Sequence, residues 1–123
     1  MDVNSTGILL ATKYEMRQTL AQSSHPGIQP GRVEQRGSIV NCASVNSLLG
    51  FQGHAAYMAS KHAVEGITKC AALEGRRHGV RVNAVSPGFF LTQMIRPAVE
   101  EQHLETLWRE GRGGARGWRR ELL

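Results

Sequence analysis

The sequence has no apolar run near the roughly 20 residues that a membrane-crossing helix needs. It has no basic stretch ahead of its first apolar residues, because "MDVNSTGILLA" opens with an acid, so it does not read as a secretory leader. Cysteine is scarce. Cys42 and Cys70 stand apart in apolar stretches and read as buried, reduced thiols, which fits a cytoplasmic setting. Their number leaves one disulfide between them open. There is no internal repeat. Hydrophobic residues make up 41% and charged residues 20%, an ordinary composition for a folded chain rather than a disordered one. The length, 123 residues, suits one small domain.

Charge is unevenly spread. The net charge is +5, but the segment from Arg109 onward holds Arg109, Arg112, Arg116, Arg119 and Arg120, and without it the chain would be near neutral. The basic balance therefore describes the tail. Those arginines, with Trp118, have the chemistry to meet phosphates and stacked bases. A solvated, flexible tail is the plainer reading and is preferred to nucleic-acid binding.

Hydrophobic periodicity organises the rest. Residues 2 to 20 read as a helix with Ile8, Leu9, Ala11, Thr12, Met16 and Leu20 on its apolar face. A Ser-, Pro-, Gly- and Gln-rich surface connection follows. "SIVNCAS", Ser38 to Ser44, reads as a buried strand, and residues 45 to 54 as a loop. Ala55 to about Glu74 has the length and period of a second helix, with Gly75 and Gly79 marking its end. "VRVNAVS", Val80 to Ser86, reads as a second buried strand stopped by Pro87-Gly88. Pro97 can open a last helix. Helix, strand, helix, strand in this order points to βαβ units and a parallel sheet. Two strands leave the faces and edges of such a sheet short of cover.

The chemistry concentrates at Tyr57 and Lys61. Residues four apart share a helix face. A free phenol, with a pKa near 10, is a poor proton donor or acceptor at neutral pH, and a neighbouring ammonium favours the phenolate. Such a pair suits giving a proton to a carbonyl oxygen or taking one from an alcohol. Small residues around it (Ala55, Ala56, Ala59, Ser60, Ala63) allow a flat ligand or another backbone to approach. The plain alternative is a core tyrosine beside a lysine that reaches out to water.

Other patterns carry less. His54 and His62 have no Cys or carboxylate at ligand spacing and read as solvent-exposed histidines. Ser44 lacks the G-x-S-x-G context of a hydrolase nucleophile. Gly111-x-Gly113 is neither preceded by a strand nor followed by an apolar helix, so it is no dinucleotide fingerprint. Asn41, Asn83 and Ser86 read as structural hydrogen-bonding residues.

The surroundings of Tyr57 and Lys61 decide between the readings. Asn4 lies in the first helix, Ser44 closes the first strand, and Pro87, Gly88 and Thr92 follow the second. In this order and spacing the chain resembles the C-terminal half of the short-chain dehydrogenase/reductase family, over roughly residues 2 to 94. The resemblance implies a partial Rossmann-like, doubly wound α/β parallel sheet, truncated at the N-terminus. Residues 1–96 would form the catalytic half and 97–123 a short helix with an Arg/Gly-rich tail. It implies an oxidoreductase interconverting an alcohol and a ketone with NAD or NADP. Tyr57 would be the acid/base and would also contact the cofactor. Lys61 would favour its phenolate and bind the cofactor ribose. Ser44 would hydrogen-bond the substrate oxygen, and Asn4 would hold a water linking Lys61 to solvent. Pro87, Gly88 and Thr92 would line the cofactor.

The family's glycine-rich pyrophosphate turn has no counterpart in this sequence, so weak or no cofactor binding by the chain alone is expected. The family also implies a homo-oligomer through the two long helices. The competing readings are a non-catalytic interaction fragment that dimerises through those helices, and a nucleic-acid binder acting through the arginine tail.

Overall fold

The computed structural model of the chain describes residues 2–25, 34–88 and 93. The chain divides into two units, Met1–Gly88 and Phe89–Leu123. The architecture described here is that of the first. Thr92, the helix expected from Pro97 and the arginine-rich tail lie outside the described residues.

A π-helical turn, Asp2–Gly7, leads into helix α1, Ile8–Ala21. Strand β1 spans Gly37–Cys42, helix α2 Ala55–Gly75 and strand β2 Val80–Val85. Short 3-10 turns at Val45–Ser47 and Arg76–His78 join them. β1 and β2 pair in parallel, with Gly37 opposite Val80 and Cys42 opposite Val85. Parallel neighbours need a crossover, and α2 supplies it. Hydrogen bonds extend the pairing past both ends. Arg36 N–H donates to the Gly79 carbonyl at 2.8 Å, and Ala43 N–H to that of Val85 at 2.8 Å.

The face of α2 that meets the sheet can be traced through Tyr57, Lys61, Val64, Thr68, Ala71 and Gly75, alternate steps of four and three residues. Val64 is fully buried, and Thr68 and Ala71 nearly so. The core joins Ala71 to Met16 of α1, Ile39 of β1, and Val80 and Val82 of β2. Gly75 lets the helix end settle on β2, since a Cβ there would stand 2.9 Å from the Val80 carbonyl oxygen and 3.2 Å from Met16 Cε. Gly79 turns the chain into β2 with φ +70°, in the left-handed region that glycine occupies without strain.

A buried polar bridge ties three elements together. Asn41 of β1 accepts from Thr12 Oγ1 of α1 at 3.4 Å and donates to Thr68 Oγ1 of α2 at 3.0 Å. Thr68 in turn donates to the Val64 carbonyl at 2.7 Å. Asn41 thus has the structural role its sequence position suggests, while Asn83 is exposed.

Four expectations change. The first helix starts as a π-helical turn, not an α-helix, and its buried face is narrower than its periodicity suggests. Thr12 and Met16 are buried, whereas Leu9, Leu10 and Leu20 remain exposed. The strands are covered on one face only, so Val40 and Val85 are exposed and neither strand is buried throughout. β1 stops at Cys42 rather than Ser44 because the chain turns into the Val45–Ser47 helix. Finally, Cys42 and Cys70 are free thiols as expected but exposed, since Cys42 points to the open face of β1 and Cys70 lies off the packed stripe of α2.

Candidate active site

The parallel pairing sends both strands toward one end, and α2 begins at that same end. Its first half packs against the Val45–Ser47 turn just beyond β1, and its last turns lie against β2. The inward face of α2 therefore changes character along its length. Toward Gly75 it is sealed by the sheet. Toward Ala55 it emerges past the strand ends, where Tyr57 is 41% exposed. In open α/β sheets, the carboxyl ends of the strands are where ligands bind.

Tyr57 and Lys61 meet there. The Lys61 ammonium lies 5.9 Å from the centroid of the Tyr57 ring, within the range of a cation–π contact. It also donates to the Cys42 carbonyl at 3.1 Å, which pins α2 to the end of β1. An ammonium has three donors, so two remain for other acceptors. Among the described residues no carboxylate pairs with Lys61.

Ser44 follows Cys42 by two residues. Its backbone is extended and its Oγ accepts from Asn46 N–H at 3.2 Å, capping the Val45–Ser47 turn. The hydroxyl thereby serves as an acceptor, and among the described residues it has no acceptor for its own proton. Val45 N–H donates to the Pro87 carbonyl at 2.9 Å, so the Ser44 turn and the Pro87-Gly88 segment stand side by side. Among the described residues, a Cβ built on Gly88 would meet nothing within 4 Å.

Asn4 joins from the π-helical turn. Its Nδ2 donates to Ser60 Oγ at 3.3 Å, and Ser60 donates to the Tyr57 carbonyl at 2.6 Å. Asn4 is therefore held to the backbone of the Tyr57 turn rather than directly to Lys61. Of the sequence-selected residues, the structure brings Asn4, Tyr57 and Lys61 to one end of α2. It places Ser44, Pro87 and Gly88 on the two adjoining loops. Thr92 lies outside the described residues.

Ser60 reads from the sequence only as a small residue beside Tyr57, and Glu65 carries no motif. Glu65 Oε1 accepts from Ser47 Oγ at 3.3 Å and from Ser86 Oγ at 3.1 Å. The available signal was its position one helical turn after Lys61, on the side facing the strand ends. His54 and His62 are exposed and turn their Nδ1 atoms to backbone oxygens of Gln52 and Met58.

The chain as a whole is similar to known proteins. The family model for short chain dehydrogenases matches residues 1–103, and the chain belongs to that family. It is 54% identical over 63 residues to the oxidoreductase YxjF of Bacillus subtilis, covering 51% of this chain and 24% of the relative. It is 38% identical over 100 residues to the 2,5-dichloro-2,5-cyclohexadiene-1,4-diol dehydrogenase of Sphingobium indicum, covering 81% of this chain and 36% of the relative. Among solved structures, it is similar to a gluconate 5-dehydrogenase from Burkholderia cenocepacia in complex with NADP and tartrate, with a TM-score of 0.71 and 26% identity over 89% of this chain and 38% of that one. The chain thus spans about a quarter to two fifths of the lengths of these relatives. The fold is Rossmann-like α/β. Among the described residues, no helix is long and apolar enough to cross a membrane.

Proposed function

We propose that the chain carries the proton-transfer half of an NAD(P)-linked interconversion of an alcohol and a ketone. The observation that carries this reading is the placement of the Lys61 ammonium over the Tyr57 ring at the carboxyl ends of the strands, with two ammonium donors free.

The described residues fit the nicotinamide–ribose end of such a cofactor. Lys61 has donors for a ribose diol, and at Gly88 no side chain stands between the backbone and an approaching ring. When bound, the nicotinamide supplies or takes the hydride. The protein's own residues manage the proton. Tyr57 gives its phenolic proton to the carbonyl oxygen as the alcohol forms, and takes it back in the reverse direction. Lys61 stabilises the phenolate left behind. Ser44, its hydroxyl proton uncommitted, donates to the same substrate oxygen and stabilises charge developing there. Asn4, held beside Tyr57 through Ser60, supports a water path that returns the proton from solvent.

The pyrophosphate end is another matter. Among the described residues no Gly-x-Gly turn joins a strand directly to a helix, so they supply no backbone cradle for a pyrophosphate. Weak cofactor affinity of this chain alone is the expected outcome. The test is a titration of the full chain with NADH and NADPH, followed by ketone reduction at millimolar cofactor. Weak binding with Tyr57-dependent turnover is expected. Ordinary micromolar affinity contradicts the weak-binding claim, and turnover that survives Tyr57→Phe contradicts the acid/base assignment.

A second reading, association through the two long helices, is favoured by the exposed apolar side chains of α1: Leu9, Leu10 and Tyr14. Sedimentation is expected to show a homodimer. A monodisperse monomer contradicts it.

A further inference from the structure

Glu65 sits on α2 one helical turn beyond Lys61, and its side chain is only 19% exposed. Its ion pair with Lys69 does not explain this. That contact is long, at 3.9 Å, and the lysine side chain is 73% exposed, so the pair contributes little. The inward contacts are different in kind. One carboxylate oxygen, Oε1, receives the hydroxyls of Ser47 at 3.3 Å and Ser86 at 3.1 Å. Ser47 belongs to the turn that Ser44 caps, and its single proton is shared with the Ser44 carbonyl at 2.6 Å. Ser86 immediately precedes Pro87-Gly88, whose Pro87 carbonyl accepts from Val45 N–H.

We propose that Glu65 is a positioning residue, whose carboxylate fixes the Ser44–Ser47 turn and the Ser86–Gly88 segment to the helix that carries Tyr57 and Lys61. This rests on the reading of Tyr57, Lys61 and Ser44 as the reacting constellation. The two loops leave different strands, and among the described residues they share no side-chain hydrogen bond other than this common acceptor. A hydrogen bond to a charged acceptor is roughly twice as strong as a neutral one. One anionic atom therefore references both loops to a single helix turn, and so sets where the Ser44 hydroxyl and the Gly88 backbone stand relative to the Tyr57–Lys61 pair.

The test is residue-resolved amide hydrogen exchange on the full chain and on Glu65→Ala, Glu65→Gln and Ser86→Ala. In Glu65→Ala, the loop amides of Val45 and Asn46 are expected to exchange about tenfold faster or more, with Ile39 and Val82 unchanged. Glu65→Gln keeps an acceptor oxygen and is expected to restore most of the protection. Ser86→Ala leaves Glu65 in place and is expected to loosen Val45, which is bonded to Pro87, more than Asn46. Unchanged loop exchange, equal acceleration of every amide, or failure of Gln to rescue would each overturn the proposal. Hydride transfer is read separately. A wild-type chain without it counts against the oxidoreductase reading, while the exchange comparison still decides the role of Glu65.

Discussion

The two halves of the inward face of α2 follow one periodicity and have opposite fates. Val64, Thr68, Ala71 and Gly75 are sealed against β1, β2 and α1, with Val64 wholly removed from solvent. Lys61 and Tyr57 continue the same stripe one and two turns earlier, yet they emerge beyond the strand ends. The sheet is six residues long in each strand and the helix has 21, so the helix outruns the cover available to it. What differs is not the helix but the length of what it packs against. The closed half holds the fold together, and the open half leaves a phenol and an ammonium outside the cover of the sheet.

That contrast can be broken from either side. The largest effect is expected at the open half. Tyr57→Phe removes the transferable proton, and turnover at saturating cofactor should fall by about 10²- to 10⁴-fold while the thermal midpoint holds. Ser44→Ala removes one donor to the substrate oxygen, with an expected loss of about 10²- to 10³-fold in kcat. A comparable loss of thermal stability in either variant would show that the open half is part of the core after all. At the closed half, Asn41→Ala removes the bridge between Thr12 and Thr68 and is expected to cost about 1–3 kcal/mol in denaturant unfolding. An unchanged unfolding midpoint would show that the bridge contributes nothing. The smallest effect is expected at Lys69→Ala, below about 0.5 kcal/mol, because the pair with Glu65 is long and wet. A loss above 1 kcal/mol would assign Glu65 to the surface ion pair rather than to the loops.

Much of this was legible in the sequence because it is local. The spacing of Tyr57 and Lys61 follows from helix geometry, the β-branched runs at Ile39–Val40 and Val80–Val82 mark strands, and Gly79 marks the turn between α2 and β2. What was not legible depends on partners distant in the chain. Val40, Val85 and Cys42 look like core residues by type, but burial also requires something to cover that face, and among the described residues nothing does. The same holds for Leu9 and Leu10 on α1. The role of Glu65 leaves no motif in the sequence because its partners, Ser47 and Ser86, lie 18 and 21 residues away on opposite sides of it in sequence. The contact of Asn4 with Ser60 was not legible either, because it is set by how the π-helical turn lies on the helix, 56 residues away in sequence.

The most direct measurement is isotope transfer. The full chain is incubated with a ketone such as cyclohexanone and a reduced nicotinamide cofactor deuterated at the transferable position, at millimolar concentration, and the alcohol is analysed by mass spectrometry. Deuterium on the carbinol carbon with the wild-type chain, and at least 100-fold less with Tyr57→Phe, is the predicted result. Equal labelling by both chains, or none by the wild type, would contradict it.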